Sequence, residues 1–285
     1  MKINRISPDA NEYLQILVNI AKKPKELYYI GNLPEQRRPS VAIVGTRKPT
    51  AYGKEVTTRF ASELAARGVV IVSGLALGVD AIAHRAALEA GGVTLAVLAN
   101  GLHRIYPAAH RGLAMDIIKQ NGAIISEYEE GVEASSYHFL ERNRIVSGLS
   151  DAVIITEAAS RSGTLNTAMH ALEQGKEVFV VPGNITSPMS LGCNELIRQG
   201  AVPLTNSDQV LDVIAPQLMQ GQTALFSSND PLEQTVLKLL RDGIRDGDEL
   251  QQKAGCSATD LSTALTMLEI AGAIRSLGGN MWTLR

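Results

Sequence analysis

Between residues 41 and 205 the chain repeats one pattern. A short run of apolar, mostly β-branched residues is followed by a longer stretch with apolar positions at helical spacing. The runs at 41–44, 69–73, 94–100, 123–126, 152–156, 177–181 and 202–205 show little polar alternation, as strands buried on both faces do. Helices are predicted over 52–67, 79–90, 108–120, 139–148, 165–174, 194–199 and 207–214, with stops such as Gly68 and Gly91. Strands of this kind separated by helices predict an α/β fold. The expectation is a doubly wound, Rossmann-like parallel sheet covered on both faces, spanning 40–214. Residues 1–39 read as a short N-terminal helical and basic extension, helical over 11–20 and broken by Pro24, Pro34 and Pro39.

Beyond this block the period disappears. Residues 215–229, rich in Gln, Ser and Gly, read as a linker. Three helices are then predicted at 231–242, 248–254 and 258–271. Strands at 273–277 and 281–284 flank a turn at Gly278, Gly279 and Asn280. That order predicts a small C-terminal winged-helix domain over 230–285.

Composition narrows the picture mainly by exclusion. A chain of 285 residues, 45% hydrophobic and 20% charged, is long enough for one large and one small domain and is not broadly disordered. Cys193 and Cys256 are too few and too far apart for a disulfide framework or a zinc site. No run of about 18 apolar residues suggests a membrane span. The first residues mix Lys2, Arg5, Asp9 and Glu12 with apolar ones, unlike a secretory signal, so a cytoplasmic location is expected. The net charge of −2 gives no global sign of nucleic-acid binding, which must rest on local patches. Lys22, Lys23, Lys25, Arg37 and Arg38 make one such patch, either a solvated face or a feed into a basic groove.

Candidate chemistry collects where a doubly wound sheet places it, in the loops after the strands. Gly45, Thr46, Arg47 and Lys48 follow the first strand, and Gly74 and Gly78 follow the second. Glycines allow close backbone approach to a ligand, and Arg suits bidentate phosphate contact. After the strand at 152–156, Ser162, Gly163 and Thr164 open the helix that carries Thr167. Such an opening offers free N–H groups and the positive end of a helix dipole to phosphate. An ordinary N-capped turn is the plainer alternative. Phe139, Arg142, Asn143 and Arg144 offer a ring to stack a base and cations to clamp phosphates. Equally, Phe139 belongs to a core and the arginines pair with Glu141 or Asp151. Neither a dinucleotide glycine fingerprint nor a P-loop is present.

Several segments occur together in a fixed order: VAIVGTR at 41–47, SGLALGVDAIAH at 73–84 and Tyr106 with Pro107. Phe139 with Arg142, Asn143 and Arg144, then RSGTLNTA at 161–168 and Val181, Pro182 and Gly183, complete the set. The combination resembles the DNA-processing protein A (DprA/Smf) family over about 25–214, and the tail resembles the winged-helix domain many members carry. The resemblance implies a protein that binds single-stranded DNA, protects incoming strands and loads RecA recombinase during natural transformation. It further implies a homodimer; the residues themselves point to no cofactor, metal or catalytic group. DNA contacts are carried over to Arg47, to 139–144 and to 162–167, with Gly45, Thr46, Lys48, Gly74 and Gly78 beside them. The chain departs from the family in three respects. Many members have a helical domain ahead of the first strand, where only about 39 residues stand here. Leu77 stands where Arg is usual, and Ser135, Ser136 and Tyr137 stand where basic residues often precede the aromatic.

Two other classes compete. The related LOG-type phosphoribohydrolases use P-G-G-x-G-T-x-x-E, and aligning Gly163 and Thr164 with that motif puts Thr167 at the Glu position. A threonine cannot act as a carboxylate acid or base near neutral pH, and Asp80, Glu157 or His84 would have to substitute. The third class makes the winged helix the DNA reader and the chain a transcription regulator. Residues 228–285, however, hold eight Asp or Glu against six Lys or Arg, and 258–271 holds no basic residue. A protein-interaction module fits that tail better.

Overall fold

Nine strands build the sheet at the centre of the chain: β1 (Asn4–Ile6), β2 (Leu27–Gly31), β3 (Ser40–Val44), β4 (Val70–Ser73), β5 (Thr94–Leu98), β6 (Ala123–Ser126), β7 (Ala152–Ile155), β8 (Glu177–Val180) and β9 (Val202–Pro203). Their spatial order in this computed structural model is β1-β2-β6-β5-β4-β3-β7-β8-β9. The structure describes residues 2–219, 230–271 and 273–284. They fall into two compact units, Met1–Met219 and Gln220–Arg285.

Helices α1 (Ala51–Ala66), α2 (Val79–Glu89), α3 (Arg111–Lys119), α4 (Ser136–Gly148), α5 (Thr164–Glu173), α6 (Leu191–Arg198), α7 (Asp208–Ile214) and α8 (Pro216–Met219) alternate with these strands. Strand side chains alternate between faces, so Val41 and Ile43 pack with Phe60, Leu64 and Ala83 of α1 and α2. Ala42 and Val44 face the opposite layer with Ile145 of α4 and Ala168 of α5. Both neighbours of each central strand are parallel, and burial on both sides explains the continuous apolar runs. Chain direction across the sheet reverses between β3 and β7, because β3 leads to β4 on one side and β7 to β8 on the other. This switch point directs the loops after β3 and β7 to one rim.

The first 39 residues differ from the expected helical extension. β2 pairs antiparallel with β6, Tyr29 opposite Ile125, and β1 pairs antiparallel with β2. The sheet is therefore parallel only from β6 to β9. Pro24 and Pro34 do not break an element here; they bracket a strand whose Leu27 and Ile30 are buried. Leu14–Asn19 is a 3-10 helix rather than an α-helix, seating Tyr13, Leu14 and Leu17 in the core. The basic patch is partly absorbed as well. Arg37 pairs with Asp151 at 2.5 Å, Arg38 donates to the Gly68 carbonyl at 3.0 Å, and Lys22 reaches Glu141 at 3.3 Å.

The predicted linker starts as structure, since Ala215 is buried and α8 carries Leu218 against the core. Its remainder, 220–229, lies outside the described residues. The smaller unit contains α9 (Pro231–Arg241), α10 (Gly247–Ala254), α11 (Ala258–Ile270) and the antiparallel ribbon β10 (Ile274–Gly278) and β11 (Met281–Leu284). Asp230, Asp246 and Ser257 cap the three helices, and Val236, Leu240, Leu250, Leu265 and Ile274 fill the core of a winged helix.

Candidate nucleic-acid interface

The loop after β3 is held down at several points before it presents any charge. The Thr46 N–H donates to the Glu157 carbonyl at 2.8 Å, and the Thr46 carbonyl accepts from Val79 N–H at 3.2 Å. Thr46 Oγ1 accepts from Lys48 N–H at 3.2 Å. Gly78 opens α2 at a φ of +80°, and a Cβ there would strike the carbonyls of Thr46 and Arg47. Gly45 likewise packs against Val79 and the Glu157 carbonyl. These glycines, expected to admit a ligand, instead admit one another's loops. Arg47 and Lys48 are left exposed at the crest.

At that crest Arg47, Phe139 and Tyr106 converge, with the buried Arg142 guanidinium behind Phe139. Phe139, half-buried in the first turn of α4, lies 5.0 Å from the Arg47 guanidinium and 5.9 Å from that of Arg142. The Tyr106 ring, from the loop after β5, meets Phe139 at 5.8 Å with the planes tilted by 51°. Ser135 caps α4 by accepting from His138 N–H at 3.2 Å, which starts the helix at Ser136 and fixes where Phe139 points. Tyr106 was not among the expected site residues. Its signals in the sequence are the Tyr106 and Pro107 pair among the segments that carry the family resemblance and its place in the loop after β5.

The two arginines expected to clamp phosphates are withdrawn from the surface. Arg142 is 4% exposed, donating to the Gly74 carbonyl at 2.8 Å and to the Val97 carbonyl. Gly74 has no side chain because a Cβ would occupy the guanidinium's space. Burial lowers the Arg142 pKa to about 10, while the Asp80 carboxylate acts to raise it. Arg144 is 7% exposed and grips both oxygens of Glu127, at 2.7 and 2.6 Å. Its partner is Glu127, with Glu141 further off at 3.9 Å. Both arginines organise the protein beneath the rim.

The loop that opens α5 is also more self-contained than its sequence suggests. Thr164 N–H donates to Ser162 Oγ, Leu165 N–H to the Ser162 carbonyl and Asn166 N–H to the Gly163 carbonyl. These three donors are therefore not free for phosphate. Thr167 is buried, whereas Ser162 and Gly163 remain accessible and Arg161 beside them is exposed. Asn143 ties this loop to α4, its amide donating to Asn166 Oδ1 at 3.2 Å and to the Gly163 carbonyl at 3.4 Å.

The groups weighed as substitutes for a hydrolase carboxylate, Glu157, Asp80 and His84, have other engagements. Glu157, 2% exposed, accepts from Thr50 N–H at 2.8 Å and Thr50 Oγ1 at 2.6 Å, bridging the switch point itself. Gly53 leaves room for it. Asp80 accepts from the N–H groups of Gly74 and Ala76, and burial raises its pKa. His84 Nδ1 lies 2.6 Å from Thr94 Oγ1, and burial depresses its pKa to about 3. Glu157 does line a cavity of about 410 Å³ with Thr50, Tyr52, Asn184, Ser187 and Ser190, but both its carboxylate oxygens are taken up by Thr50. Among the described residues, no helix is long and apolar enough to cross a membrane, and no group of three or more His, Cys, Asp or Glu could hold a metal ion.

Residues 4–215 match the pattern of the DNA recombination-mediator protein A family, and residues 222–280 match that of the DprA winged helix domain. Protein Smf of Escherichia coli K12 is 38% identical over 288 residues, covering 98% of this chain and 77% of its own. The DNA processing protein DprA of Bacillus subtilis is 38% identical over 219 residues, covering 76% of this chain and 73% of its own. Among solved structures, DNA processing protein A of Streptococcus pneumoniae superposes with a TM-score of 0.69 at 38% identity over 75% of each chain. Its counterpart from Helicobacter pylori, described with a single-stranded DNA binding mode, gives 0.66 at 36% identity, over 76% of this chain and 97% of that one.

Proposed function

The chain belongs to the DNA recombination-mediator protein A family, and from that premise we propose that its larger unit binds single-stranded DNA along the rim of the sheet. The observation that carries this reading is the meeting of Arg47, Phe139 and Tyr106 at the strand ends. Phosphates bind at Arg47 and Lys48, with Ser162, Gly163 and Arg161 as the continuing wall, and bases lie against the aromatic group. Gly45, Thr46, Gly74, Gly78, Arg142, Asn143, Arg144, Thr164 and Thr167 shape that surface from below. Affinity comes chiefly from phosphates and is therefore salt-dependent and largely indifferent to sequence.

In the cell this activity protects incoming strands and hands them to RecA recombinase in the cytoplasm, with the protein acting as a homodimer. The reading is one of binding rather than hydrolysis, supported by Thr167 at the position where hydrolase relatives place Glu. The winged-helix unit serves as a protein-interaction module, since α11 carries Asp260 and Glu269 and no basic residue. A gel-shift series with single-stranded and duplex competitors tests the proposal. Single strands are expected to compete far better, and equal competition by duplex would refute it.

A further inference from the structure

Which ring takes a base is a separate question from whether the rim binds DNA. Phe139, the aromatic that the sequence points to, is half-buried and already has two guanidinium groups within 6 Å of its ring centre. Tyr106 is 43% exposed and touches the cluster only along Phe139. The rings meet tilted by 51° rather than stacked face to face, so Phe139 does not occupy a Tyr106 face in parallel, and the exposed part of Tyr106 is accessible to a planar ligand.

The backbone that delivers Tyr106 is braced. Asn100, which is buried, donates its amide to the carbonyls of Gly101 at 2.8 Å and Arg104 at 2.7 Å. The Asn100 carbonyl in turn accepts from Ser126 Oγ at 2.7 Å. On the other side Pro107 restricts the chain, and its carbonyl accepts from His110 N–H at 3.0 Å. A ring held this way loses little freedom when a base lands on it, which is what a stacking site needs.

We propose that Tyr106 is the ring on which a base of the bound strand stacks, with Phe139 as the buttress that sets both Tyr106 and Arg47. The proposal rests on the single-stranded DNA reading and assigns one residue's part in it. Because every base has a π-face, the contact adds affinity without sequence preference.

The test compares the full-length protein with Tyr106→Leu, Tyr106→Phe and Arg47→Ala, using fluorescence anisotropy of a labelled oligothymidylate across a salt series. Tyr106→Leu is expected to bind roughly 5-fold more weakly or worse, the size of one lost base stack. Its salt dependence should match the unaltered protein, because no phosphate contact is removed. Tyr106→Phe, which keeps the ring, should bind within about twofold of the unaltered protein. If Arg47→Ala weakens binding while Tyr106→Leu does not, the stacking assignment falls and the DNA reading stands. If the unaltered protein does not bind the oligonucleotide, both fall. A readout on the unaltered protein guards against a variant that fails to fold. An oligonucleotide carrying 5-iododeoxyuridine, which photocrosslinks to rings stacked on it, should form an adduct on Tyr106. Adducts on Phe139 and none on Tyr106 would overturn the proposal.

Discussion

Replacing Arg142 with Leu separates two accounts of the same residue. If Arg142 is a phosphate clamp, the substitution weakens DNA binding and leaves stability nearly unchanged. The structure predicts the reverse order of effects. The guanidinium is buried, donates to the carbonyls of Gly74 and Val97 and faces the buried carboxylate of Asp80. Arg142 and Asp80 are not within ion-pair distance, yet removing the guanidinium leaves the buried Asp80 carboxylate without its compensating charge. Stranding a buried charge in low dielectric typically costs about 3–5 kcal/mol. In a unit of this size each kcal/mol moves the melting temperature by about 2–4 °C, so the expected drop is about 6–20 °C. Differential scanning fluorimetry of the full chain measures it, with DNA binding assayed well below the transition. Adding Asp80→Asn removes the stranded charge, so the double variant should be more stable than the sum of the single losses by at least about 1 kcal/mol. An Arg142→Leu protein that melts like the unaltered one yet no longer binds DNA would refute this account of the residue.

Three further outcomes are expected. Arg47→Ala should weaken binding to single strands by about 1–3 kcal/mol and reduce the slope of log affinity against log salt by about 0.7, one phosphate's share; an unchanged slope argues against a phosphate contact. Lys176 donates to the carbonyls of Ser147, Gly148 and Ser150 at the end of α4, and burial lowers its pKa from 10.5 to about 8. A folded pKa below the unfolded one penalises the charged form, so the penalty is full below pH 8 and fades as pH rises towards 10.5. The protein should therefore gain melting temperature relative to Lys176→Met across that window, and a constant difference would contradict the assignment. Finally, a chain ending at Met219 should keep its DNA binding and its melting temperature. One ending at Ile214 should melt lower, because it loses the buried Ala215 and the Leu218 contact.

What the sequence shows of this protein is what lies close together along it. The parallel core is legible because strands buried on both faces must be continuously apolar, as Val41, Ala42, Ile43 and Val44 are. The start of α4 is not legible in the same way, since Ser135 caps it four residues before the helical spacing at Phe139 becomes visible. β2 is not legible, since two tyrosines and flanking prolines look like a broken surface segment until Ile125 and Ser126 pair with them. The fate of Arg142 is hidden for a related reason. The space it fills is the missing side chain of Gly74, 68 positions away, and no local pattern reports an empty volume. At the opening of α5 the composition is right for an anion site, but Ser162 and Gly163 satisfy the N–H groups that the composition offers.

The place of β2 in the sheet also bears on how the chain comes off the ribosome. Tyr28 and Tyr29 have Arg5 and Asn4 of β1 beside them from the start, but their partners on the β6 side, Ser126 and Ile125, are made only nearly a hundred residues later. Translation at about 5–20 residues per second leaves those tyrosines waiting for about 5–20 s. β3 waits longer still for its β7 neighbour, because Ala42 pairs with Val153. The strands from β3 to β6 can assemble first among themselves, since β4 lies beside β3, β5 beside β4 and β6 beside β5. The N-terminal segment then closes one border of that half-sheet and β7 the other. The β6-facing edge of β2 is thus among the last parts of the sheet to be covered, although β2 is made before the half-sheet it joins, and translation speed through residues 30–126 sets how long that edge stays open to other partners.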